Sequence, residues 1–324
     1  MGSVTESHLV GLHARSEGLM KLMRLGREGK VSFETLKDHL TKEALSLVEL
    51  QSSAGLTRVV DGQLAWHDLL RPISENVEGL KVGPLARWFD NNVFYKKPIV
   101  HSRISWNKPF LPDYLCSSCL EGRRGKLVIA DPFTFAKLSE NNYYRSFDDL
   151  VLDLSEAIAT EIIKLGSPRW LSMLQFSSPV LVKARLKSDD AELFTESINL
   201  IKRRVSVPIM VHTFFGDLTN ALPLLLDAKV EVIGFDLTVT DLKKLREYDI
   251  DRTLCVGLID ARNSYMESED QLLKDLSRVI DLVPARAYHI SPTADLEFLP
   301  KDLADEKVRL LGRVFKRVGG DGWR

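Results

Sequence analysis

What this chain is short of narrows its class first. Three cysteines in 324 residues cannot staple a fold, so a secreted disulfide framework is excluded and a reducing compartment is expected. Lysine plus arginine (44) nearly cancel aspartate plus glutamate (45), leaving a net charge of −1. No bulk charge is present to draw nucleic acid or an anionic membrane. The basic groups Lys96-Lys97, Arg123-Arg124 and Lys202-Arg203-Arg204 are dispersed and read as solvated surface. No apolar run approaches a membrane span, and MGSVTESHLVGLHARSEG is neither an apolar signal core nor an Arg/Ser-rich transit peptide. The expectation is a soluble, cytoplasmic protein with no nucleic-acid or membrane partner. No G-x-G-x-x-G follows the first strand and no G-x-x-x-x-G-K-[ST] occurs, so nucleotide folds lack their phosphate loop.

What is present is a repeated arrangement. Apolar runs begin at Val207 (VPIMVHTFFGD), Val230 (VEVIGFDLT), Thr253 (TLCVGLIDARNSYMES) and Ala287 (AYHISPTADLEFLP), and each stops abruptly in polar residues. Amphipathic stretches of helical period follow them, at the spacing of βα units. A parallel strand buried on both faces reads as a continuous apolar run. Counting such runs predicts strands near Arg58, Phe94, Val128, Leu174, Met210, Ile233, Val256 and Ile290. Eight strands alternating with helices is the arithmetic of a single (β/α)8 barrel spanning residues 1–324, with an open doubly wound sheet as the alternative.

Residues 1–55 read as a helical hairpin packed on that barrel. Leu19, Leu22, Met23 and Leu25 share one helical face, and a second helix opens at Ser32 and stops at Gly55. LTRVVDG is a short strand ending at Asp61, and LAWHDLLRPISEN is a helix interrupted at Pro72. LARWFDNNVFYKKPIV reads as a helix end passing into a strand. Residues 101–125 hold two prolines (Pro109 and Pro112) and the neighbouring Cys116 and Cys119, the composition of an inserted loop. Further helices are expected over about Phe133–Ser139, Phe147–Leu165 and Ala191–Lys202.

Chemistry in parallel α/β folds gathers where strands end. The tips His212, Asp217, Asp236, Asp260, Arg262, Asn263 and Asp295 are therefore expected at one mouth. Asp260, Arg262 and Asn263 can orient a zwitterion or a carboxylate, or can simply pair with neighbours to close the rim. His212 beside carboxylates but no thiolate is a poor zinc set and reads as a hydrogen-bonded histidine. Asp236 is structural or substrate-binding. Asp295 and Glu297 either cap the following helix or bind a ligand. Trp66, Trp88 and Phe89 read as core, with stacking on a flat heterocycle as the lesser reading. The Cys116/Cys119 pair is structurally neutral, a stabilising disulfide, or a metal or redox site; no second pair supports zinc.

Together these segments resemble the amino-terminal half of cobalamin-independent methionine synthase, both of whose halves are (β/α)8 barrels. GKVSFETLKDHL resembles that half's first helical hairpin. SSAGLTRVVDGQLAWHD resembles its Gln-x-x-Ala-Gly and the Asp-Phe-x-x-Tyr-Asp type stretch after it. LARWFDNNVFYKKP is similar to its Thr-Lys-Trp-Phe-Asp-Thr-Asn-Tyr-His-Tyr segment, and ADPFTFAKLS to its Gly-Pro-x-Thr-Phe. HTFFGDL, VIGFDL, GLIDARNSYMES and SPTADLEFLPKDL resemble four later motifs in the same order, from about Arg15 to Phe315.

The resemblance implies methyl transfer from a 5-methyltetrahydrofolate polyglutamate to homocysteine. In the family a zinc ion in the carboxy-terminal barrel binds the thiolate and activates it at neutral pH. The zinc positions fall here on His212, Phe214, Asp236 and Ala294, so both thiolates are missing and no metal or other cofactor is expected in this chain. The family's Gln-x-Asp-Glu-Pro strand end reads Gln175-Phe176-Ser177-Ser178-Pro179, hydroxyls replacing two acids. Arg15 and Lys21, in the helix that matches the family's tail-binding helix, are implied to hold the polyglutamate. His212, Asp236, Asp260, Arg262, Asn263 and Asp295 are the candidate substrate-binding set, and no catalytic residue is assigned. The leading expectation is a non-zinc half or accessory subunit working with a separate zinc-bearing barrel. The alternatives are a stand-alone methyltransferase or decarboxylase-type barrel, and a non-catalytic folate-binding or scaffolding barrel.

Overall fold

The computed structural model describes residues 2–319. It opens with β1 (Val4–Ser7), α1 (Glu17–Arg27), α2 (Phe33–Ala54), α3 (Arg71–Asn76), β2 (Glu78–Arg87) and β3 (Phe94–Ser105). There follow α4 (Leu111–Tyr114), α5 (Ser117–Leu120), β4 (Gly125–Ala130), α6 (Pro132–Lys137), β5 (Glu140–Asn141), α7 (Phe147–Lys164) and β6 (Leu171–Ser177). The chain continues with α8 (Val180–Lys183), α9 (Ser188–Lys202), β7 (Ile209–His212), α10 (Leu222–Asp227) and β8 (Val232–Asp236). It ends with α11 (Leu242–Leu245), β9 (Ile250–Ile259), α12 (Glu269–Leu282), β10 (Ala285–Pro292) and α13 (Lys301–Val318).

Seven parallel strands curl in the order β1-β10-β9-β8-β7-β6-β4. The gap between β1 and β4 is filled by residues 57–59. Thr57 and Arg58 donate backbone N–H bonds to the Ser7 carbonyl (3.0 and 3.3 Å), and Val59 exchanges bonds with Arg124 and Lys126 (3.0 Å each). This eighth segment closes the ring, as the (β/α)8 reading requires. Two details differ from the sequence reading. The run at Phe94 is not a ring strand: β2 and β3 form an antiparallel hairpin outside it, and LARWFD is the end of β2 and its turn rather than a helix end. The missing ring strand is β1, so the amino-terminal segment supplies a strand as well as its helical hairpin. β1 has only four residues, and its place depends on pairing with β10 far along the chain.

Local signals explain the helices that position the mouth. Ser32 caps α2 by accepting from Thr35 N (3.1 Å), and Gly55 ends it at φ 88°, the left-handed turn that glycine adopts without penalty. Pro72 opens α3 instead of interrupting a helix, because proline lacks an N–H at a position where none is bonded. The expected insertion is part strand, residues 101–105 completing β3, and part short helix, α4 and α5. Among the described residues no helix is long and apolar enough to cross a membrane.

The ring's interior is divided. Met173, Met210, Val232 and Cys255 form an apolar cluster apart from the main core between sheet and helices. Toward the strands' amino-terminal ends the filling is polar. Arg58 pairs with Glu6 and donates to the Ser172 carbonyl (2.9 Å). Lys126 donates to Gln175 Oε1 (2.5 Å) and lies 3.1 Å from His8 Nδ1. With no carboxylate bonded to it, burial pulls the Lys126 ammonium down to about 7.

Candidate functional site: the carboxy-terminal mouth

The strand ends bring most of the candidate residues to one side of the ring. His212 ends β7 and Asp236 ends β8, while Asp260 and Asp295 lie just past β9 and β10. His212, Asp236 and Asp295 are buried, and hydrogen bonds to the main chain hold each in place. His212 Nε2 pairs with the Thr293 carbonyl (3.0 Å). Asp236 accepts from Phe215 N (3.3 Å) and Thr238 N (3.0 Å). Asp295 accepts from Leu12 N (2.9 Å), tying the β10 end to the segment that leaves β1. Asp217 accepts from Thr219 N (3.0 Å) and Asp241 N (3.3 Å), organising its own loop instead of reaching the mouth.

Burial sets the protonation of these groups. It pushes the Asp236 and Asp295 carboxyls up, Asp295 well above the usual range with Glu297 adding to the effect. It also pulls His212 down to about 4, so the imidazole is neutral at physiological pH. Asp260 accepts from Arg262 N (2.9 Å). Arg262 and Asn263 are exposed on the same rim.

An aromatic roof lies over this floor. The Arg262 guanidinium sits 4.7 Å from the ring centre of Phe215. Phe215 also meets Phe214 (4.7 Å), Phe298 (5.7 Å) and Phe89 (6.2 Å). Phe89 is at the tip of the β2–β3 hairpin, so the hairpin overhangs the mouth. Both Phe89 (φ 53°) and Phe215 (φ 68°) hold a left-handed backbone, an unfavourable conformation for an aromatic residue that the surrounding contacts must maintain. Trp66 and Trp88 are buried, as core residues should be. No periodicity in the sequence marked the hairpin's overhang, since it depends on where the hairpin docks.

Arg15 and Glu297 form a pair that the sequence reading did not join. Arg15 precedes α1, one residue before its cap Ser16, and does not lie within the helix as expected. Its guanidinium donates to the carbonyls of Leu64 (2.9 Å), Gln63 (3.5 Å) and Trp66, and stands 3.8 Å from the Glu297 carboxylate. Neither Asp295 nor Glu297 caps a helix: α13 starts at Lys301 behind Pro300, with no side-chain cap, and Asp295 makes no capping bond. Beside the pair is an open groove of about 430 Å³, lined among others by Arg15, Met20, Glu297 and Lys301. Lys21 is exposed on α1.

The positions matched to zinc ligands do gather on one wall, since His212 touches Thr293, next to Ala294, and Asp236 holds the turn after Phe214. Their chemistry does not fit the metal. Phe214 and Ala294 offer no donor atom, and His212 already uses Nε2. His212 Nδ1 faces Gly234 so closely that a Cβ there would sit 2.2 Å from it. Among the described residues no three His, Cys, Asp or Glu side chains are placed to hold a metal ion. Cys116 and Cys119 are disulfide-bonded, away from this wall.

Comparison with known proteins agrees with this architecture. The model of the family described as "Cobalamin-independent synthase, N-terminal domain" matches residues 76–284. A methionine synthase of Saccharolobus solfataricus is 27% identical over 306 residues, covering 93% of this chain and 90% of that protein. One from Sulfolobus acidocaldarius is 27% identical, covering 94% and 90%. Among solved structures, a B12-independent methionine synthase from Shewanella sp. W3-18-1, in complex with selenomethionine, superposes with a TM-score of 0.82 at 14% identity. It covers 97% of this chain and 98% of that one. A putative vitamin-B12-independent methionine synthase from Listeria monocytogenes gives 0.78 at 17% identity, covering 99% and 100%. At such identities the structural likeness is one of fold.

Proposed function

Since the chain belongs to the cobalamin-independent methionine synthase family, through that family's N-terminal domain, we propose that it is the barrel without zinc in methyl transfer to homocysteine. It would act in the cytoplasm, beside a separate zinc-bearing barrel that supplies the thiolate chemistry. The observation that supports this reading is the mouth wall itself. His212, Phe214, Asp236 and Ala294 occupy the ligand positions with one engaged imidazole, one buried carboxyl and two apolar groups.

Within this reading the residues divide by accessibility. His212, Asp236 and Asp295 frame the wall, and the rim residues Asp260, Arg262 and Asn263 meet the substrate. Arg262 would pair with a carboxylate in two parallel bonds. Lys21 on α1 would take carboxylates of a folate polyglutamate tail, with Arg15 ordering the floor of the adjoining groove.

The test is reconstitution. The purified chain alone should carry under about 0.1 equivalent of zinc and should not methylate homocysteine. With a zinc-bearing barrel of the family it should co-elute and raise the rate with a 5-methyltetrahydrofolate polyglutamate. Turnover by the isolated chain, or failure both to bind the second barrel and to change its rate, would end the proposal.

A further inference from the structure

The Cys116–Cys119 pair stands outside the mouth's chemistry, yet it is wired to the mouth. Cys116 is half-buried and Cys119 is 2% exposed, packed under α2. The Cys116 N–H donates to Asp61 Oδ2 (2.9 Å), and Asp61 Oδ1 accepts from Gln63 N (3.0 Å). Gln63, Leu64 and Trp66 supply the carbonyls that hold the Arg15 guanidinium beside Glu297. A second tie runs parallel, from Trp66 Nε1 to the Tyr114 carbonyl (3.2 Å), two residues before Cys116. One buried carboxylate thus joins the two-cysteine loop to the segment that positions Arg15.

The surroundings also suit the reduced state. A Cys119 thiol would have the Thr41 carbonyl at 3.6 Å as acceptor, and Cys116 Sγ lies 3.7 Å from Ser118 Oγ. A small cleft of about 60 Å³, lined by Lys37, Asp61, Asp113 and Cys116 among others, opens beside the outer sulfur.

We propose that Cys116 and Cys119 form a reversible thiol–disulfide switch, operated by a dithiol, that loosens the 61–66 segment and with it the Arg15–Glu297 pair. The dithiol's thiolate attacks the accessible Cys116 sulfur, the S–S bond breaks, and Cys119 leaves as thiolate. The dithiol's second thiolate then attacks its own sulfur in the mixed disulfide and releases Cys116. Two electrons pass from the dithiol, which becomes a disulfide, and the released thiolates take protons from water. In the reduced chain the loop holding the Cys116 N–H is no longer cross-linked, so Asp61 loses a fixed donor.

The test does not depend on methyl transfer, so it stands apart from the proposed function. The full chain is equilibrated in dithiothreitol buffers of graded ratio, alkylated, and read by mass spectrometry, with hydrogen exchange followed on the same samples. With alkylation carried out in denaturant, Cys255 is labelled in both states, reduction should add two labels at Cys116 and Cys119, and exchange at 61–66 in the native chain should speed up roughly tenfold. Asp61→Asn keeps only one acceptor oxygen, so its disulfide should still form while exchange at 61–66 responds less to reduction than in the wild type, the Trp66–Tyr114 tie remaining. Free thiols at both positions in oxidising buffer would overturn the proposal. So would identical exchange at 61–66 in the oxidised and reduced wild-type chain, a readout needing no cysteine variant to fold.

Discussion

Glu297 is largely buried beside the Arg15 guanidinium, and burial and the neighbouring charge oppose each other. Burial raises its carboxyl to about 7 from an ordinary 4.5, with Arg15 pulling it back and Asp68 adding to the rise. The folded chain therefore holds this proton more tightly than the unfolded chain does. The stability it contributes is complete below about pH 4.5 and is lost as pH rises to about 7. Over that window the loss is on the order of 3 kcal/mol. Glu297→Gln should remove this dependence, giving urea midpoints that differ less between pH 5 and pH 8 than in the wild type. An equally steep wild-type and variant profile would contradict it. At this scale the sequence identified His212, Asp236 and Asp295 as strand-end groups, because a polar residue closing an apolar run is a local signal. The partnership of Arg15 with Glu297 was invisible, since the two residues are joined only where the ring's ends meet.

Helices and strands show the same division. The runs IMVH, VIGFD, TLCVGLI and AYHISP were legible as strands because burial on both faces leaves an unbroken apolar string. The Phe94 run has strand chemistry too, but nothing in its residues says which sheet it joins. β1 went unread for the opposite reason: four residues carry too little pattern. Besides its backbone pairing with the neighbouring strands, the segment 57–60 is clamped by α2, whose Gln51 donates to the Val60 carbonyl (2.7 Å) and accepts from Val60 N (3.0 Å). Gln51→Leu should leave both buried backbone groups without partners and cost about 2–4 kcal/mol by chemical denaturation. A loss below about 0.5 kcal/mol would mean that another group takes over the clamp.

For the whole molecule, closure of the ring is the critical event. β1 and β4 do not pair directly, and Arg58 spans the gap between them, pairing with Glu6 on β1 and bonding Ser172 on β6. Burial pushes the Glu6 carboxyl up, but the Arg58 hydrogen bond, with the charges of His289 and Arg58, carries it below its ordinary value. Arg58→Met should strand that carboxylate inside the ring and destabilise the chain by roughly 3–5 kcal/mol, measured by urea unfolding. Arg124, which also reaches Glu6 (2.7 Å) but from an exposed position, should not substitute for it. A variant as stable as the wild type would show that closure across the gap does not depend on this pair.

The residues by themselves determined the βα alternation and the positions of most strands, because each depends on side-chain type and short spacing. Only the tertiary structure decided which segments complete the ring, that the β2–β3 hairpin overhangs the mouth, and that Asp61 links the Cys116 loop to Arg15. Those features arise from contacts between residues far apart in the chain, whose geometry exists only once the parallel sheet has curled and closed on itself.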